Sequence, residues 1–345
     1  MSTALVMIVR DEARCIGRCL ASARPWVDEM IVLDTGSTDA TPALAAAAGA
    51  RVERFAWIDD FAAARNAALD ASGADWNLVL DADEWLLDGG ASLRGLPAAG
   101  GFLGTLEMLN QFDTAHGPQA SVDTLPRLLP RGVRYAGRIH EQPATALPRR
   151  RTALRVAHDG YRADALAAKQ GRNLRLLERA VAQSPRDPYL RYQLGKDLAV
   201  YERFDAACEQ LTRALQDCPP GARYRHDLVV RTIFALKKCG RHAEAVQLAE
   251  REMARWQDSP DFHFALGDLL LDWAACEPAR AGELLPMVEA AWRRCLEIGE
   301  RPELDGAVRG RGSHLAAANL AILCDGTGRP DDARRLRALA AATAR

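Results

Sequence analysis

Through its first eighty residues the chain alternates short apolar runs with helical stretches, and this rhythm constrains the fold more than any other feature. "ALVMIV" (4–9) precedes the helical "EARCIGRCLASA", and "EMIVLD" (29–34) precedes "TPALAAAAG" (41–49). "RVERFAW" (51–57) precedes "DFAAARNAALDAS" (60–72), and "WNLVLDAD" (76–83) closes the series. Strand, helix and strand repeated at this pace predict βαβ units and a mainly parallel sheet. Such sheets bind ligands beyond the C-terminal ends of their strands. Three acid-bearing loops fall at those ends: "RDE" (10–12), "DTGSTD" (34–39) and "DADE" (81–84). Residues 101 to 160 read as further strands with irregular links, a β-rich second lobe of the same domain.

Near Arg162 the pattern changes, and every clear signal after it is helical. From Pro188 to Gly221 the residues Leu194-Gly195, Ala207, Ala214 and Pro219 match the ~34-residue tetratricopeptide pattern at its Leu-Gly, two Ala and Pro positions. "NLRLLERAVAQSP" repeats the Ala-to-Pro spacing through Ala180 and Pro185, and "FALGDLLL" (264–271) restores the Leu-Gly pair. "GRHAEAVQLAE" (240–250) and "GRPDDARRLRALA" (328–340) read as second helices of further units, while 275–313 is irregular. The expected fold class is therefore α/β followed by all-α. Residues 1–165 form a Rossmann-like mixed-sheet domain, and 166–345 form a tetratricopeptide-like solenoid of about three or four helix pairs.

The formal net charge of −1 excludes a global bias toward nucleic acid or an anionic membrane surface. Only four of the 45 basic residues are lysines, so arginine clusters read first as compositional. By that default the nine arginines between 127 and 162 form a solvated face. None of the eight cysteines forms a CxxC pair or zinc spacing, and Cys15 and Cys19 are expected to be buried thiols. The opening "MSTALVMIVRDEA" turns charged too early for a signal peptide, and no uncharged segment approaches a membrane helix. The expected location is the cytoplasm.

Four motifs in order, "MIVRDEA", "VDEMIVLDTGSTDAT", "WIDDFAAARNAAL" and "WNLVLDADEWL", resemble the catalytic domain of glycosyltransferase family 2, of the GT-A fold. With the repeats, the chain is similar to the bacterial branch that fuses this domain to tetratricopeptide repeats, which includes peptide S-glycosyltransferases acting on bacteriocins. The resemblance implies a nucleotide-sugar donor, a UDP-sugar as first expectation, and a divalent cation, Mn²⁺ or Mg²⁺. Hard cations prefer carboxylate oxygens and offset charge on a departing diphosphate. In an extended segment residues i and i+2 face one way, so Asp81 and Asp83 are expected to converge. By resemblance Asp83 binds the metal directly, and Asp81 takes the ribose or a metal-bound water. Arg10, Asp11, Glu12 and Asp34 correspond to the family's nucleoside loops, and Arg65 to a helical arginine that reaches the nucleotide. Capping of the next helix suffices to explain Ser37, Thr38 and Asp39.

"GRIHEQ" (137–142) resembles a segment on the acceptor side of the family's site, and this resemblance makes Glu141 the candidate base of an inverting, hexosyltransferase-type reaction. His158 in "VAHDGY" matches a late histidine that family members supply to the metal or pyrophosphate. The acceptor is a protein or peptide held by the repeats, or a surface-glycan precursor. Two other readings compete: a helical-repeat scaffold with an inactive nucleotide-binding domain, and a nucleotidyltransferase. The second lacks the glycine-rich basic loop after the first strand that a triphosphate needs.

Overall fold

The computed structural model describes residues 1–98, 100–114, 117–161 and 171–344. The chain divides into two compact units, Met1–Leu176 and Leu177–Arg345.

The first unit is built on one eight-stranded sheet. Its strands are β1 (Thr3–Val9), β2 (Glu29–Asp34), β3 (Arg51–Arg54), β4 (Trp76–Val79), β5 (Glu84–Asp88), β6 (Leu103–Thr114), β7 (Gly117–Pro130) and β10 (Arg149–Tyr161). They lie in the order β3-β2-β1-β4-β7-β6-β10-β5, with a separate two-stranded ribbon of β8 (Tyr135–Ala136) and β9 (Gln142–Pro143). β1 pairs in parallel with β2 and β4, and β2 with β3. Antiparallel β7 joins β4 to β6. The three crossovers are helical: α1 (Ile16–Ala23), α2 (Thr41–Ala47) and α3 (Phe61–Ala71).

Alternation along β1 divides the core. Leu5 and Met7 pack on one face with Ile16 and Leu20 of α1, whereas Ala4 and Val6 pack on the other with Ala64, Ala68 and Leu69 of α3. A strand covered on both faces has no polar side, which is why "ALVMIV" reads as an unbroken apolar run.

Two expectations change here. The strands after residue 100 form no second lobe: β7 sets Leu128 opposite Leu78 and extends the same sheet. The expected strand 76–83 stops at Val79, and Asp81 to Glu84 closes a turn in which the Glu84 amide donates to the Asp81 carbonyl at 3.0 Å. The chain then leaves the sheet centre for its far edge, where β5 pairs antiparallel with β10.

The second unit consists of helices. After α4 (Arg172–Gln183) come α5 (Pro188–Val200), α6 (Phe204–Asp217), α7 (Arg225–Lys238), α8 (His242–Trp256), α9 (Pro260–Cys276), α10 (Ala281–Ile298), α11 (His314–Gly326) and α12 (Pro330–Thr343). Among the described residues α5 to α12 form four helix pairs, α5/α6, α7/α8, α9/α10 and α11/α12. The repeat residues act as small contacts: a Cβ on Gly195 would lie 2.5 Å from Leu211 Cγ, and Ala207 and Ala214 are fully buried. The stretch read as irregular, 275–313, holds the 18-residue α10, with Pro286 inside the helix. None of the helices described is long and apolar enough to cross a membrane.

β5 is held in place by a close backbone approach. Gly89, just beyond it, has φ +81°, and a Cβ there would lie 2.0 Å from the Ala153 carbonyl oxygen of β10. Gly89→Ala should therefore cost about 2 kcal/mol or more of stability through left-handed strain and overpacking. Urea unfolding of the variant checks this, and an unchanged midpoint would contradict the packing.

Candidate active site

The turn after β4 is tied down at both ends. The Leu80 amide reaches the Val6 carbonyl at 3.4 Å, while the Asp81 amide donates to Glu84 Oε2 at 2.9 Å. The Cys19 thiol of α1 lies below, 3.5 Å from the Asp81 carbonyl. Cys15 and Cys19 are both buried, as expected, and burial pushes each thiol well up from its ordinary range.

Two arginines enclose this turn. Arg65 sits in the second turn of α3, whose start is capped by Asp60 accepting from the Ala63 amide at 2.9 Å. Its guanidinium is buried. Nη2 donates to Asp81 Oδ1 at 2.8 Å, Nε donates to Glu141 Oε1, and Nη1 is buried with no hydrogen-bond partner. Arg127 of β7 donates through Nη2 to Asp81 Oδ2 at 3.1 Å and to Glu84 Oε1 at 3.0 Å. Three carboxylates thus share two guanidiniums.

The electrostatics follow from this arrangement. Burial pushes the Asp81 carboxyl up, but Arg65 and Arg127 outweigh it and hold the group well below the usual carboxylate range. For Glu84 burial prevails over Arg127, and the carboxyl is raised. Both guanidiniums stay charged, because burial lowers them less than their carboxylate partners raise them.

Asp81 and Asp83 have different protein partners. The turn aims Asp81 at the arginines and leaves Asp83 beside His158, whose Nε2 is 3.6 Å from Asp83 Oδ2. On its other side His158 Nδ1 lies 2.8 Å from Asn110 Oδ1, and Asn110 Nδ2 donates to Asp123 Oδ2 at 2.7 Å. A carboxylate only accepts, so the Asn110 amide group faces Asp123 and its oxygen faces the ring. That arrangement puts a proton on Nδ1 and turns Nε2 toward the Asp83 carboxylate, where it would offer its lone pair to a bound cation. A metal-ligating histidine is set up in the same way, with its second nitrogen held by an outer partner. The donor set of Asp83 and His158 therefore fits a divalent cation of the Mn²⁺ type.

The remaining residues form a second group at the ends of β1 and β2. Asp11, at φ +55°, accepts from the Thr38 amide at 2.7 Å, and its own amide donates to Ser37 Oγ at 2.9 Å. The Glu12 amide donates to Thr41 Oγ1 at 2.7 Å, and Asp34, itself buried, accepts from the Ser37 amide at 3.1 Å. Arg10 is exposed, 3.8 Å from Asp11. The capping explanation is corrected in part. Ser37 and Thr38 latch the first loop to the second, the α2 N-cap position is Ala40, and only Asp39 serves the helix start, through the Thr41 amide at 2.9 Å.

Sequence reasoning missed Arg127 and Glu84 as members of the cluster. Glu84 stood in the quoted motif without a role, and Arg127 was discounted with its neighbours. The neighbours do form a solvated face, as expected, with exposed ion pairs on it: Arg131 with Asp75 at 3.4 Å, Arg138 with Asp60 at 3.7 Å, Arg155 with Glu107 at 3.1 Å. No local pattern marks Arg127, since its partners, Asp81 in the turn after β4 and Glu84 at the start of β5, lie 46 and 43 residues away along the chain.

Comparison with known proteins bears on what these residues serve. Residues 4–92 match the model of the family described as glycosyl transferase family 2. A TPR repeat-containing protein of Synechococcus elongatus is 35% identical over 277 residues, covering 76% of this chain and 68% of the relative. The SPbeta prophage-derived glycosyltransferase SunS of Bacillus subtilis is 24% identical over 230 residues, covering 64% of this chain and 54% of SunS, so the match spans about half of that relative. Among solved structures, glucosyl-3-phosphoglycerate synthase of Mycobacterium tuberculosis in complex with Mn²⁺, UDP and glucosyl-3-phosphoglycerate is 26% identical. That similarity covers 32% of this chain and 44% of the synthase, with a TM-score of 0.26.

The buried network carries its own prediction. Arg127→Met leaves Glu84 and half of Asp81 without a counter-charge, which should cost about 3 kcal/mol. Adding Glu84→Gln removes the stranded carboxylate and should return part of that loss. Urea unfolding of the two single variants and the double variant measures the coupling; strict additivity would speak against a shared network.

Proposed function

This chain belongs to the glycosyltransferase family 2 proteins that carry tetratricopeptide repeats, and we propose that it transfers a sugar from a UDP-sugar to a peptide or protein acceptor. In this reading residues 1–165 are the catalytic domain and 166–345 the repeat domain that presents the acceptor. The observation that carries the proposal is the pairing of Asp83 with His158, a ready donor set for a cation at the C-terminal end of a parallel strand.

Asp83 and His158 would hold Mn²⁺ or Mg²⁺, and such an ion, when bound, offsets charge on the diphosphate oxygens. Asp81 keeps a third of its side chain open, and through it meets the donor ribose or a metal-bound water. Arg65 and Arg127 hold Asp81 in that orientation. The unpartnered Nη1 of Arg65 is suited to a donor oxygen. Arg10, Asp11, Glu12 and Asp34, stitched together at the ends of β1 and β2, frame the nucleoside. Glu141, fixed through Arg65, takes the acceptor's proton. The acceptor atom bonds to the anomeric carbon from the opposite face, and the nucleoside diphosphate leaves with the bonding pair.

The helical unit supports a protein acceptor through its surface. Val200, Phe234, Leu271 and Ile322 are exposed, one on the first helix of each pair. Leu271 and Ile322 line a groove of about 350 Å³. An extended chain with apolar side chains suits such a surface.

Release of nucleoside diphosphate from UDP-sugars in the presence of Mn²⁺ tests the assignment. Asp83→Asn should lower turnover at least about 100-fold, and His158→Gln should raise the Mn²⁺ concentration required. Glu141→Gln should lower transfer by about 100-fold or more while calorimetry still detects donor binding. Full turnover by Asp83→Asn would remove the metal reading, and normal transfer by Glu141→Gln would assign the base elsewhere.

A further inference from the structure

A second group of metal-type side chains lies in the helical unit, and nothing in the sugar-transfer reading uses it. Asp272 and Cys276 are four residues apart on α9, so they share one face of the helix. His242 opens α8, with its ring nearly parallel to that of Trp273, the planes 9° apart and the centroids at 5.8 Å. That stacking directs Nε2 at Asp272 Oδ2, 2.8 Å away. The His242, Asp272 and Cys276 donor atoms all lie within 4.8 Å of one another, a grouping found once among the described residues.

A histidine–aspartate hydrogen bond alone is an ordinary helix-to-helix contact. The thiol changes its chemistry. Of the eight cysteines Cys276 is the one that is exposed, and it stands beside the pair instead of in a core. Imidazole, carboxylate and thiolate together are a borderline-soft set with two negative charges, matched to a divalent cation that accepts sulfur. The set differs from the rim at Asp83 and His158, where an oxygen and a nitrogen donor meet.

We propose that His242, Asp272 and Cys276 form a binding site for a thiophilic divalent cation, Zn²⁺ in kind, with three protein ligands and a fourth position open to solvent. Asp272 keeps 44% of its side chain exposed, which leaves room for that fourth ligand. On binding, Cys276 gives up its thiol proton and His242 carries its own proton on Nδ1, so that Nε2, Oδ2 and Sγ all become donors. The ion would join the start of α8 to the end of α9. The site does not depend on the sugar-transfer reading.

Titration of the full-length, chelator-stripped protein with Co²⁺ reads the site directly, because cobalt–thiolate charge transfer and four-coordinate d–d bands report the ligands. The expected result is about one equivalent of Co²⁺ with a thiolate band that Zn²⁺ abolishes. Cys276→Ser should remove the band with unchanged far-UV circular dichroism, and His242→Gln should weaken binding at least about 10-fold. Asp83→Asn should leave the spectrum intact, which separates this site from the catalytic rim. A wild-type spectrum with no thiolate band, or one that survives Cys276→Ser, would overturn the proposal.

Discussion

The guanidinium of Arg65 is the tie on which the acidic rim depends. It is buried, it carries a full charge, and it reaches two carboxylates from distant parts of the chain, Asp81 and Glu141. A charge removed from water is tolerated only when its partners are in place. The turn after β4, helix α3 and the segment at Glu141 must therefore assemble together. Arg127 extends the same demand to β7 through Asp81 and Glu84. Leaving any member of this network unpaired is costly.

Sheet order sets where that network stands. The chain leaves the sheet centre after β4 and resumes at the opposite edge as β5, and the acidic turn is the start of that jump. Strands β7, β6 and β10 fill the interval. As a result His158 of β10, held by Asn110 of β6, comes to face Asp83. An imidazole oriented by an amide, beside a buried carboxylate, is a geometry that β6, β10 and the turn after β4 create jointly.

The helical unit rests on a simpler constraint. Each pair buries one apolar stripe against the next, and small residues such as Gly195 and Ala207 permit close approach. Helix α10 departs from the repeat pattern yet packs as a member of its pair, with Trp292 filling the space above Gly267. Packing tolerates an irregular sequence where the volume is right.

Local sequence by itself determined the period of each half: runs such as "ALVMIV", alternating with helical stretches, read as strands covered on both faces, and Leu-Gly and Ala spacings recur because helix pairs must stack. It also determined that acids would gather at the strand ends, since Asp34, Asp81 and Asp83 terminate apolar runs. The partners of those acids were decided by tertiary structure. Arg127 looked like one arginine among many, Glu84 like a bystander, and Asn110 had no signal at all. Hydrogen bonds and ion pairs between strands depend on pairing order and register, which are non-local quantities. A one-dimensional pattern reports which residues are buried and where turns fall; only the closed sheet decides which charges meet.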